Sequence, residues 1–215
     1  MSDDSAPNAP SIRPLSNGPL VVKQLKRLTN SRDEPLETKD SFTLCRCGAS
    51  ANKPFCDGSH RKIGFSDENT ADRSKDVQIT YAGKEISIHD NRFLCSHAAF
   101  CTDRLKSVFK QGEAPWIDPD GDTAEAIAGL VGQCPSGALS FTFQASPPRP
   151  EAPEAGITVS KNGPYFVVGE VSLEGAGWSK DADRRRFALC RCGASANKPF
   201  CDGSHWEAGF SDEKN

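Results

Sequence analysis

The strongest constraint on this chain is an internal repeat. Residues 45–60 read CRCGASANKPFCDGSH, and residues 190–205 read CRCGASANKPFCDGSH without one change. At the offset that separates Cys45 from Cys190, Asn17-Gly18-Pro19 is matched by Asn162-Gly163-Pro164. At the same offset Gly64-Phe65-Ser66-Asp67-Glu68 is matched by Gly209-Phe210-Ser211-Asp212-Glu213. A unit from about 15 to 68 is therefore duplicated at about 160 to 213, around an insertion.

Composition supports small modules over one large fold. Only 36% of the 215 residues are apolar, and the mean hydropathy is −0.54. Modules with so little core need an internal staple, a metal or disulfides. The formal charge of −3 argues against a nucleic-acid partner. The basic run Arg184-Arg185-Arg186, beside Asp181 and Asp183, reads as a solvated turn. The opening MSDDSAPNAPS has no apolar stretch and no window reaches membrane length, so the expectation is a soluble, cytoplasmic protein without membrane contact. In that reducing setting the nine cysteines are expected as metal ligands, not disulfides.

Two polar segments bracket the insertion: Ser66 to Asp76, and the Pro-, Ala- and Glu-rich run Gln144 to Gly156. The expected layout is a disordered tail over 1–14, a first module over 15–68, a middle module over 77–143, a linker over 144–156 and a second repeat module over 157–215. Each module holds three cysteines.

The repeat spaces its ligands as C-x-C-x8-C-x3-H: Cys45, Cys47, Cys56 and His60, then Cys190, Cys192, Cys201 and His205. Three thiolates and an imidazole hold either structural zinc or an iron–sulfur cluster. Structural zinc sites typically pair cysteines at wider spacing. A C-x-C pair on an extended segment suits one iron at the edge of a [2Fe–2S] unit, with Cys56 and His60 on the other. Gly48 permits unusual backbone angles, and Pro54 stiffens the approach to Cys56. Asp57 is placed to accept from free amides at the turn carrying His60. Ser50, Asp57, Ser59 and their counterparts Ser195, Asp202 and Ser204 are candidates for tuning the cluster from around the ligands.

The run CRCGASANKPFCDGSH closely resembles the CDGSH iron–sulfur domain family, also called the NEET family. The resemblance covers both repeats and implies a [2Fe–2S] cluster on three cysteines and one histidine in a small α+β module. It further implies that two such modules pair through β-strands, here as an intramolecular pseudo-dimer with a shared sheet. Gly18–Leu28 and Gly163–Leu173 are the candidate strands.

The middle segment reads as separate α+β structure. QITYAGKEISIHD suggests a hairpin turning near Ala82-Gly83. Cys95 and Cys101 lead into a helix, and a second helix spans Thr123 to Gly132, capped by Asp122 or Thr123 with Ile127, Leu130 and Val131 inward. ALSFTF closes the segment as a strand. Against the ferredoxin run C-x2-C-x2-C-x3-C-P, Cys95 and Cys101 take the first and third places, and Cys134-Pro135 supplies the remote pair. The segment thereby resembles the divergent mono-cluster ferredoxin domains. Ala98 stands at the second ligand place, which implies a [3Fe–4S] cluster or a [4Fe–4S] cluster capped by water or another side chain, His97 being adjacent. His89, in a strand, is expected to be structural or exposed.

The leading functional expectation is electron transfer, cluster handling or redox sensing, with a redox or cluster-accepting protein as partner and a monomeric chain. Histidine ligation raises a cluster's potential. The alternative is a zinc-stabilised interaction module without redox function. No nucleotide loop or nucleophile–base set is visible, so a self-contained enzyme is not expected.

Overall fold

The computed structural model describes residues 9–145, 153–213 and 215. Its first repeat contributes β1 (Ser11–Pro14), β2 (Leu20–Lys23), β3 (Arg27–Thr29), β4 (Ser41–Leu44) and the short helix α1 (Ser59–Lys62). The insertion holds β5 (Ile79–Ala82), β6 (Ile86–Asp90), α2 (Phe100–Arg104), α3 (Ala124–Val131) and β7 (Leu139–Phe143). The second repeat supplies β8 (Gly156–Val159), β9 (Tyr165–Val168), β10 (Ser172–Leu173) and β11 (Arg186–Leu189). The fold is α+β, with the two repeat modules flanking the inserted one.

The repeats exchange strands. One sheet runs β10-β1-β2-β4 and the other β11-β9-β8-β3, so each takes one strand from the opposite repeat. Both exchanged strands join in parallel, Ile12 opposite Leu173 and Leu28 opposite Ile157. The single shared sheet expected from the sequence is thus two sheets, each shared. Short strands explain the exchange: four residues with one buried face cannot close a core alone. β2 and β9 alternate burial with period two, and their inward residues Leu20, Val22, Tyr165 and Val167 meet Ile12, Leu44, Ile157 and Leu189 in one core drawn from both repeats.

The tail expected over 1–14 is corrected at its inner end. Ser11–Pro14 is a strand, because Ile12 is fully buried between the repeats; residues 1–8 lie outside the described residues. The linker expected over 144–156 lies partly outside them, at 146–152, and Gly156 already opens β8. The charged segment after Ser66 is pinned to the second repeat: the Thr70 amide donates to the Ala196 carbonyl (2.9 Å) and Arg73 to that of Gly177 (2.6 Å).

The middle module packs α3 on the sheet β5-β6-β7. Thr123 Oγ1 accepts from the Ala126 amide at 3.2 Å, and Ala124, Ile127 and Val131 form the buried stripe. Leu130 is only half-buried. His89 bridges strands, within 2.9 Å of Thr80 Oγ1 and 3.1 Å of Thr142 Oγ1. Arg186 pairs with Asp183 at 3.0 Å, so the basic run is not simply solvated.

Candidate metal centres

β4 delivers the first site. Past Leu44 the Cys45 amide donates to the Pro54 carbonyl (2.8 Å) and the Cys56 amide to that of Thr43 (3.0 Å). This hairpin brings the C-x-C segment beside Cys56. Gly58 sits at φ 87°, a left-handed turn that starts α1 and returns His60 to Cys56. Asp57 secures the turn: the Ser59 hydroxyl first, then the amides of Ser59 (3.0 Å) and Ala51 (2.8 Å), donate to it and hold its pKa well below the usual carboxylate range. The second site repeats each feature, with Asp202 accepting from Ser204 (3.0 Å) and Ala196 (2.8 Å).

The ligands come together in pairs. Cys45 and Cys47 sulfurs are 3.7 Å apart, as are those of Cys190 and Cys192. Cys56 Sγ lies 3.4 Å from His60 Nδ1, and Cys201 Sγ 3.5 Å from His205 Nδ1. Two thiolates on one tetrahedral ion, with bonds of about 2.3 Å, stand about 3.8 Å apart, and a thiolate–imidazole pair about 3.5 Å. Each pair therefore fits one metal ion. Among the described residues no three such side chains converge on a single ion position.

The serines do not face the sulfurs. Ser50 and Ser195 donate to the carbonyls of Phe55 and Phe200, each at 2.7 Å, and Ser204 donates to Asp202 at 2.6 Å. Ser59 bonds Asp57 likewise. The hydroxyls of Ser50, Ser59, Ser195 and Ser204 thus fasten the loops, each taken up beside a tight turn, while the Ser195 amide is directed at the sulfurs of Cys190 and Cys192. Donation to sulfur falls to backbone amides, Gly58 to Cys56 and Gly203 to Cys201, each at 3.4 Å.

Sequence reasoning missed the arginine between the first two cysteines. Arg191, 1% exposed, donates to the carbonyls of Gly163 (2.8 Å) and Ser160 (3.0 Å) and pairs with Asp212 at 2.5 Å. Arg46 does the same with Gly18, Leu15 and Asp67. The signal was present, since N-G-P, C-R-C and F-S-D recur at one offset and these are the segments each arginine ties together.

Burial shifts the thiols. Cys47 is pushed up to about 11 and Cys201 to about 12. The bond within the other pair holds Cys192 down to about 6 and drives Cys190 up. Loading metal on protonated thiols must release protons.

In the middle module Cys95 follows a 3-10 turn over Arg92–Leu94, Cys101 sits in α2 and Cys134 follows α3. Burial pushes Cys101 up to about 11, with the neighbouring Cys95 and Cys134 adding to it, and burial raises Cys95 too. They line one cavity with Ala98, Ser96 and Ser136. The missing ligand at Ala98 thus faces the cavity. His97 lies elsewhere: its amide donates to Cys95 Sγ (3.4 Å), while its ring rests on Gly203 of the second repeat. Asp90 was also missed. It is 1% exposed, its carboxylate oxygens have no hydrogen-bond partner among the described residues, and burial lifts it to about 6 against the pull of the Arg92 charge.

Known proteins agree with this division. Residues 17–61 and 162–206 match the family described as iron-binding zinc finger CDGSH type, and residues 81–144 match the family described as divergent 4Fe-4S mono-cluster. The chain is 31% identical over 61 residues to the uncharacterized protein YjdI of Escherichia coli (strain K12), a match covering 28% of this chain and 80% of that protein. The YjdI of Escherichia coli O157:H7 matches to the same extent. No solved structure matches. With ligand pairs in both repeats, a three-cysteine cavity between them and these matches in register, the chain belongs to the CDGSH iron-binding family, in a tandem form with an inserted divergent 4Fe-4S mono-cluster domain.

Proposed function

We propose that this iron–sulfur protein is an electron carrier with three centres. Cys45, Cys47, Cys56 and His60 hold one [2Fe–2S] cluster, and Cys190, Cys192, Cys201 and His205 another. Cys95, Cys101 and Cys134 hold a [4Fe–4S] or [3Fe–4S] cluster. The two-plus-two grouping of ligands, 3.7 Å within each thiol pair and 3.4 or 3.5 Å within each thiol–imidazole pair, carries this reading. A single zinc ion would draw all four ligands together.

When bound, the clusters take up and release single electrons. The chain's own residues fix the ligands: Arg46 and Arg191 lock the C-x-C segments, the aspartates hold the histidine turns, and amides direct their N–H groups at sulfur. The chain acts as a carrier and not as an enzyme, with a redox or cluster-accepting protein as its partner. No described helix is long and apolar enough to cross a membrane.

Anaerobically purified protein tests this. The expected result is visible charge-transfer absorption, iron and sulfide in cluster ratio, and paramagnetic resonance signals of two cluster classes. Substituting His60→Cys or His205→Cys is expected to lower the potential of that centre alone. A colourless protein with stoichiometric zinc would refute the proposal.

A further inference from the structure

The two copies of the motif are identical in sequence but not in surroundings. Their C-x-C-G loops lie back to back: a Cβ on Gly193 would stand 2.8 Å from the Cys47 carbonyl oxygen, and one on Gly48 would collide with that of Cys192. The two repeat sites are therefore neighbours. The middle module docks on the second repeat. A Cβ on Gly203 would meet His97 Cδ2 at 2.6 Å, whereas one on the equivalent Gly58 would meet nothing within 4 Å. Trp206 Nε1 donates to the His97 carbonyl at 3.2 Å, and Phe100 packs edge-on to Phe166 at 6.3 Å between centroids. His205 is consequently 5% exposed, while His60 is only half-buried.

We propose that the identical sites hold unequal places in one line of electron transfer. The site of Cys190, Cys192, Cys201 and His205 is the internal relay, and that of Cys45, Cys47, Cys56 and His60 is an outer terminus. This inference rests on the electron-carrying reading above. Tunnelling falls steeply with distance, so the contacts set the order: middle site, second-repeat site, first-repeat site. At each step the donor centre is oxidised by one electron and its neighbour reduced by one; no bond forms or breaks. One-electron protein carriers serve the two ends, one at the half-exposed face of His60 and one at the groove lined by Cys95, Cys101, Trp116 and Trp206.

Gly203 is the contact to test, since of the two equivalent glycines, φ 87° at Gly58 and 90° at Gly203, only Gly203 touches the middle module. The loaded protein is reduced stepwise without oxygen, and the two [2Fe–2S] resonance signals are assigned through the His60→Cys and His205→Cys variants. The second-repeat signal is expected to show relaxation enhancement from the middle centre, falling several-fold in Gly203→Ala and unchanged in Ile63→Ala, an exposed position on the first copy outside its ligand loop. A soluble paramagnetic relaxant is expected to act more strongly on the first-repeat signal. Should Gly203→Ala not fold, Phe100→Ala loosens the same docking through its ring and is expected to weaken the coupling. Equal coupling of both [2Fe–2S] signals to the middle centre, or equal response to the relaxant, overturns the inference while leaving the carrier reading intact. Absence of clusters overturns the carrier reading itself.

Discussion

The first and second repeat sites share all sixteen motif residues, yet they differ in what surrounds them. Around the first, Cys56 and His60 are half-buried and Arg61, Lys62 and Ile63 stand exposed. Around the second, Cys201 is 3% exposed and the middle module lies over Gly203. One local sequence thus supports two environments, because the motif fixes ligand geometry while flanking residues fix burial. The sharpest way to break this comparison is through the buried ion pairs. Arg191 and Asp212 have side chains 1% and 3% exposed, against 2% and 26% for Arg46 and Asp67. Removing one partner of a fully buried pair leaves an uncompensated charge, so Asp212→Asn is expected to cost about 3–5 kcal/mol. Asp67→Asn costs roughly 1–2 kcal/mol, because water reaches its carboxylate and screens the loss. Urea unfolding of the loaded variants measures both, and equal losses would show the two surroundings to be equivalent.

A second difference runs the other way. Tyr165, wholly buried in β9, points its hydroxyl at the first site, 2.7 Å from the Cys45 carbonyl oxygen and 3.0 Å from that of Pro54. Its counterpart in β2 is Leu20, which has no such group. Tyr165→Phe strips a donor from buried carbonyls and is expected to cost about 1–3 kcal/mol. The loss should appear as earlier bleaching of the first-repeat centre on heating. Simultaneous bleaching of both would mean that the bond steadies the shared core and not the site.

Much of this was legible in advance, for particular reasons. The repeat marked the thiols and imidazoles that the fold brings into close pairs, since cluster chemistry restricts residue type and spacing. Thr123 was readable as a cap and Ile127 and Val131 as an inward stripe, because helical periodicity is local. Strand exchange was not readable: β1 and β3 each choose a parallel partner far away in sequence, and a four-residue strand carries no signal for its neighbour. Neither were the orientations of Ser50 and Ser195, which depend on carbonyls that only the folded loop presents. The docking of His97 on Gly203 joins two modules through a ring and a missing side chain, and neither sequence announces the other.

The smallest expected effect isolates that docking from the motif. The residue after the ligand histidine is Arg61 in the first copy and Trp206 in the second. Trp206 is 67% exposed, yet its indole donates to the His97 carbonyl and its ring lies 5.3 Å from that of His205. A hydrogen bond so open to water contributes little, so Trp206→Arg is expected to cost under about 1 kcal/mol. Arg61→Trp installs the same ring on the first copy, where Gly58 has no module over it, and should shift stability by less than about 0.5 kcal/mol. Thermal unfolding followed at cluster absorbance reads both changes. The informative quantity is the second-repeat centre's exposure to a soluble relaxant, which should rise in Trp206→Arg, whereas the first-repeat centre's should stay unchanged in Arg61→Trp. If Arg61→Trp shields the first site as fully as Trp206 shields the second, the environment is set by that one residue, and the middle module's contact is incidental to it.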